Sequence, residues 1–205
     1  MNYPAMPRRR KLIVLAATTA ISALMLSGCA ASPESASPAT SSPTVDSNLL
    51  EAHELVGLDA PQIIERLDTM PVTERPTDLI ASVQSDALIL TDGEQRETRL
   101  PMPEDEAYIS IAPYRHQTHD CHFHSLTTCL GELPNTEIKL TLTGEGGEVL
   151  LDEARQTYDN GFVGIWVPRG IEATLTIEHE GQSGTATVST TGEDDPSCIT
   201  TLQLT

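Results

Sequence analysis

From Tyr108 to the C-terminus the chain is cut into short runs in which apolar and polar side chains alternate. The runs are Tyr108 to Ile111, Ile138 to Leu142, Val149 to Leu151, Phe162 to Val167, Thr174 to Ile177, Thr185 to Val188, and Ile199 to Leu204. Glycine-bearing turns punctuate them, among them Gly144-Glu145-Gly146-Gly147, Asp159-Asn160-Gly161, Pro168-Arg169-Gly170 and Glu180-Gly181. A period of two puts one face of each run in a core and the other in water, so the runs read as strands. Seven such strands over residues 104–205 predict a β-sandwich, with no helix expected there. Asp159-Asn160-Gly161-Phe162 and Trp166 read as a turn needing positive φ and as core aromatics.

The segment 48–103 is of another kind, for it holds no Phe, Trp or Tyr. Asp59 can cap a helix through Pro61, Ile63, Ile64 and Leu67, with the proline tolerated in its first turn. Ala87 to Thr91 and Glu94 to Leu100 flank Asp92-Gly93, a two-residue hairpin signal. Residues 48–103 therefore predict a small α+β domain, and Pro101-Met102-Pro103 with Glu104-Asp105-Glu106 marks its edge. A unit this small buries a modest core and would lean on the sandwich, or on a second copy of the chain in a homodimer. The whole chain is expected to be mainly β.

The beginning of the chain points out of the cytoplasm. Arg8-Arg9-Arg10-Lys11 precedes an apolar run from Leu12 to Leu26, too short for a span of roughly 20 residues but suited to a signal peptide. The run ends in Leu26-Ser27-Gly28-Cys29, which resembles the lipobox of bacterial lipoproteins. That resemblance implies a signal peptide over 1–28 and a lipidated Cys29 that anchors the protein at the outer face of a membrane in the cell envelope. Residues 29–47 are almost all Ala, Ser, Thr and Pro, a composition that behaves as an extended tether. Loss of 1–28 leaves eight basic residues against thirty acidic ones, a charge of −22 where the full chain has −18. Such a surface repels nucleic acid, which is excluded as a partner.

Chemistry concentrates in one place. His116, His119, Cys121, His122, His124 and Cys129 fall within fourteen positions and include four of the six histidines. Thiolate and imidazole select Cu(I), Zn(II) and related ions. Zinc suits the same ligands, although the spacing fits no zinc-finger pattern. On a continuous helix Cys121 and Cys129 would stand about 12 Å apart along the axis, so the segment must turn back if they cooperate. In an extended stretch His122 and His124 would face one way, Cys121 and Phe123 the other. With Cys29 lipidated, three thiols remain, counting Cys198. They make either three metal ligands or one disulfide and a leftover thiol, and a Cys121–Cys129 staple with an inert Cys198 is the plainest version of the second. His53 and His179 are isolated in sequence and read as surface residues. Met70 and Met102 are the only methionines after residue 28, which argues against a methionine-rich copper site.

Three stretches carry a further resemblance. Tyr108-Ile109-Ser110-Ile111-Ala112-Pro113-Tyr114 is followed by Thr118-His119-Asp120-Cys121 and Phe123-His124-Ser125-Leu126-Thr127-Thr128-Cys129. Tyr158 to Arg169 is the second stretch, and Cys198-Ile199-Thr200-Thr201-Leu202-Gln203-Leu204 the third. Together they resemble the CueP family of periplasmic copper-binding proteins. The resemblance implies an envelope copper-resistance protein that binds copper, takes part in reducing Cu(II) to Cu(I), and passes it to other envelope proteins. It implies Cys121, Cys129 and Cys198 as the working thiols and metal ligands, with His119 and His124 beside them. Oxidation of the thiols would disarm the site, so a reductant or a thiol–disulfide partner is also expected. His116 and His122 lie outside the family pattern.

Overall fold

The structure, a computed structural model, describes residues 46–205; the expected signal segment 1–28, Cys29 and the expected tether up to residue 45 lie outside the described residues. Helix α1 (Ser47–Ala52) begins at Asp46, whose carboxylate accepts from the N–H groups of Asn48 and Leu49. Helix α2 (Ala60–Asp68) begins at Asp59 as the sequence predicts. Asp59 accepts from the Gln62 N–H while the Gln62 side chain accepts from the Asp59 N–H, so two orphan donors are satisfied reciprocally. Ile63, Ile64 and Leu67 face inward. So does Asp68, the last residue of the helix, whose side chain is fully buried.

A 3-10 turn (Val72–Glu74) leads to an antiparallel meander of β1 (Leu79–Val83), β2 (Ala87–Asp92) and β3 (Glu97–Pro101). The expected hairpin forms between β2 and β3, but its turn is wider than Asp92-Gly93. Residues 93–96 make the connection, with Gln95 at φ +64°. Asp92 explains the difference: its carboxylate accepts from the N–H groups of Glu94 and Arg96 and pairs with the Arg96 guanidinium, which stabilises the longer loop.

The second half supplies seven strands. β4 (Glu106–Ile111) lies between β10 (Cys198–Ile199) and β7 (Val163–Pro168), parallel to the first and antiparallel to the second. β5 (Glu137–Gly144), β6 (Val149–Gln156), β8 (Glu172–His179) and β9 (Gln182–Ser189) form a four-stranded antiparallel sheet in the order β6-β5-β8-β9. The chain is thus mainly β, as expected. The two sheets face each other over one core: Ala107, Ile109 and Ile111 of β4 meet Leu140 and Leu142 of β5 and Leu175 and Ile177 of β8. The last strand is shorter than the run Ile199 to Leu204 suggests. After Ile199 the Thr200 carbonyl takes the Thr118 hydroxyl and the Leu202 carbonyl takes the Tyr114 N–H, so these groups bond to a loop. Leu202 and Leu204 still reach the sandwich core.

Strand β4 is buried on both faces, and this decides where the site sits. Its other face carries Tyr108 and Ser110, and Tyr108 joins a second core built by α1, α2 and the three-stranded sheet. Tyr108 lies so close over Gly164 on β7 that any β-carbon there would collide with its ring and hydroxyl. Between β4 and β5 runs a long irregular loop, residues 112–136, that carries the Cys/His cluster.

Candidate metal centre

Four separate pieces of backbone bring the cluster together. The loop passes beside β1, where Val83 donates its N–H to the His124 carbonyl and Leu126 donates to Ala81, both at 2.8 Å. A single helical turn follows, closed by Cys129 N–H to the Ser125 carbonyl at 3.1 Å, and it swings Cys129 back over Cys121. β10 brings Cys198, whose N–H bonds to the His122 carbonyl. The turn at residues 158–162 completes the surround. Gly161, at φ +80°, packs its Cα against Gly131, where a β-carbon would stand 2.6 Å from the Gly131 carbonyl oxygen. The Gly131 N–H bonds to the Asn160 carbonyl at 2.7 Å, so this turn clamps the loop just after Cys129.

The result is a tight group of soft donors. One ligand atom from each of Cys121, His124, Cys129 and Cys198 lies within 4.8 Å of the others. Cys121 and Cys198 are joined as a disulfide, with Cα atoms 5.7 Å apart. Cys129 is free; its sulfur lies 3.7 Å from that of Cys121 and accepts from the Ser125 N–H. His124 is fully buried, with Nδ1 3.9 Å from the Cys198 sulfur and Nε2 3.0 Å from Asp68 Oδ1. Phe162 lies against the imidazole, ring centroids 4.5 Å apart.

Electrostatics favour a charged pair here. Burial opposes the imidazolium of His124, but the Asp68 carboxylate, with a smaller contribution from Cys129, outweighs it and raises the pKa to about 9. Burial also opposes the Cys129 thiolate. The neighbouring imidazole, the Ser125 N–H and the Arg75 guanidinium more than offset this, and the thiol lies below its ordinary value. Arg75 is itself buried, donates to the Cys129 carbonyl at 2.9 Å, and stands 3.9 Å from Asp68.

The chain has the marks of a known family. The family model for the periplasmic copper-binding protein CueP matches residues 62–203. The chain belongs to the CueP family. A solved structure, "Crystal Structure of S.CueP", is similar at 35% sequence identity and a TM-score of 0.72, covering 79% of this chain and 99% of that one. No curated protein sequence matches. The CueP match takes in all three cysteines of the centre and His124, and it reaches back to Asp68 on α2.

Not every histidine near the candidate centre shares in it. His119 stands outside the four-atom group; its Nε2 is buried without a hydrogen-bond partner, and its ring lies 6.2 Å from Phe162. His122 points outward and bonds to the Asp194 carbonyl. His116 is exposed, and its N–H is held by the Glu132 carboxylate. In an extended chain Cys121 and His124 would face apart, yet they converge because the loop is irregular between them. The Cys121–Cys129 staple is not the pairing formed: Cys198 is the partner of Cys121, and Cys129 is the leftover thiol. His53 closes α1 and His179 sits at the end of β8, both away from the centre. Met70 and Met102 pack in the α/β core. Sequence reading missed Asp68 and Arg75 altogether, and read Asn160 and Phe162 as turn and core, although both also touch the site's support.

Proposed function

We propose that this protein is a lipid-anchored envelope protein of copper resistance that holds Cu(I) between Cys121, Cys129, Cys198 and His124 and generates it by reducing Cu(II) with its thiols. The observation that carries the reading is the convergence of three sulfurs and one imidazole nitrogen within 4.8 Å. Thiolates in that number stabilise Cu(I) strongly over Cu(II). His119, outside the four-atom group and with an unpartnered Nε2, serves as a first landing place for Cu(II). Membership of a family of periplasmic copper-binding proteins supports both the cargo and the compartment. The Leu26-Ser27-Gly28-Cys29 resemblance to a lipobox supports attachment through Cys29 and the tether of residues 29–47, with the α+β segment 48–103 and the copper-binding sandwich 104–205 beyond it. Among the described residues no helix is long and apolar enough to cross a membrane.

The redox step balances within the chain. Two thiolates, Cys121 and Cys198, each give one electron to a Cu(II) ion, so two Cu(I) ions form as one sulfur–sulfur bond closes. On this reading the Cys121–Cys198 disulfide is the bond that such a step would leave. Attack of the Cys129 thiolate on the Cys121 sulfur would release the Cys198 thiolate and move the disulfide to Cys121–Cys129. Full recovery takes two electrons from an external dithiol, so an envelope thiol–disulfide protein is a partner, alongside a protein that receives the Cu(I). Zinc, which accepts the same ligands, is the competing cargo.

The test is anaerobic. Fully reduced protein lacking residues 1–28 and Cys29 is mixed with a twofold excess of Cu(II), and Cu(I) is followed with a competing chelator. Rapid Cu(I) formation with loss of two thiols is the expected result, abolished in the Cys121→Ser, Cys198→Ser double variant, which keeps only Cys129. If Cu(I) neither forms nor is held against the chelator, the copper reading fails and zinc or a plain staple replaces it. For the anchor, Cys29→Ala should release the full-length protein from membranes; unchanged fractionation would remove the lipid from the proposal.

A further inference from the structure

A carboxylate stands at the worst place in helix α2. Asp68 is the last helical residue, where the macrodipole disfavours negative charge, and its side chain has no exposed surface. Burying a charge there is costly unless each lone pair finds a donor. Four donors reach it, three of them closely and the fourth, the Ser110 hydroxyl, 3.4 Å from Oδ2. Tyr108 gives its hydroxyl hydrogen to Oδ2 at 2.7 Å, and Asn160 gives its amide hydrogen to Oδ1 at 2.8 Å. The third is Nε2 of His124, on Oδ1 at 3.0 Å.

The geometry around these contacts is aimed at one ring. The Asn160 amide is oriented because its oxygen accepts from the Phe162 N–H at 2.8 Å, which leaves only its NH2 to face Asp68. Phe162 covers the imidazole face, and Asp68 fixes the direction in which the ring points. A carboxylate can only accept, so Nε2 must carry the hydrogen in this contact. Nδ1 is then the nitrogen that remains for the thiol side, where it lies 3.9 Å from the Cys198 sulfur.

We infer that Asp68 is the positioning residue of the centre: it holds His124 by Nε2–H so that Nδ1, and not Nε2, is the atom that takes Cu(I). The inference rests on the copper reading of the same site, and adds which nitrogen binds and which distant helix sets it. Carboxylate, histidine and metal in series fix the ring and raise its basicity as a ligand. Asp68 touches neither copper nor a thiol, so its action passes entirely through His124.

The experiment follows nitrogen-15-labelled His124 in the metal-free and the Cu(I)-loaded reduced protein by long-range proton–nitrogen correlation. The expected result is a slowly exchanging proton on Nε2 in both states, with the metal-induced shift on Nδ1. Asp68→Ala should lose the protected proton and weaken Cu(I) binding by about 10- to 100-fold, the usual cost of removing such a partner. Asp68→Asn, nearly the same shape and still able to accept from Nε2–H, should recover part of that loss. The wild-type spectra need no variant, so a folding defect in Asp68→Ala does not blunt the test. Metal on Nε2, a freely exchanging Nε2 proton, or an unchanged affinity in Asp68→Ala would overturn the role of Asp68 while leaving copper binding intact. A wild-type protein that keeps the Nε2 proton but binds no Cu(I) would overturn the copper reading, and the ligand assignment with it.

Discussion

Cys129 is the residue on which the chemistry of the disulfide-bonded state turns, because it is the one free thiol among the described residues. It is half-buried, against an imidazole with a pKa of about 9 and within reach of a guanidinium, so its thiolate form is favoured. Alkylation requires the thiolate. The protein with its disulfide intact and without Cys29 should therefore take up one equivalent of iodoacetamide, and three after full reduction. The rate of the first should rise with pH to a midpoint below the ordinary thiol value, since the folded pKa is depressed. His124→Ala removes the nearest positive charge and should move that midpoint upward. Mass spectrometry of the alkylated peptide against pH checks both; a midpoint at or above the ordinary value would show that burial wins over the imidazole.

At the scale of elements, the site hangs on a few close approaches between loops. Gly161 is the sharpest, with a left-handed backbone and a Cα packed on Gly131. Gly161→Ala adds a methyl where a carbonyl already stands and forces a strained φ, so it should destabilise the fold by about 1–3 kcal/mol. It should also loosen the segment that carries Cys129. Denaturant unfolding measures the first effect, and a faster Cys129 alkylation rate at fixed pH the second. The turn at Asp159-Asn160-Gly161 was legible in the sequence, as were the α2 cap at Asp59 and the alternating strands, because each obeys a local rule of spacing. Asp68 was not legible. It is one of thirty acidic residues and closes an amphipathic helix, and nothing local separates a buried carboxylate there from a solvated one. Its partners Tyr108, His124 and Asn160 are 40, 56 and 92 positions away. The cysteine pairing was hidden for the same reason: spacing said that the loop must turn back, but only the parallel placement of β10 beside β4 brings Cys198 to Cys121.

For the molecule as a whole, the disulfide makes stability and redox state one question. Cys121 and Cys198 are 77 positions apart, and the chain between them includes β5 to β9. Closing a loop of that size restricts the unfolded chain and, on the chain-entropy account, contributes about 4 kcal/mol to the folded state. Reduction gives that up while the native contacts stay in place. Cu(I) bound across the same sulfurs would recover it by another route, because an ion that binds only the folded form stabilises it by mass action. The disulfide-bonded protein and the reduced Cu(I) form should therefore both resist guanidinium better than the reduced, metal-free protein, the first by roughly 2–4 kcal/mol. Cys198→Ser cannot close that loop with or without a reductant, and keeps at most the short Cys121–Cys129 loop, so it should lose most of the gain. If reduction leaves the unfolding midpoint unchanged, the loop between the cysteines is already constrained in the unfolded chain, and the cross-link adds nothing to stability.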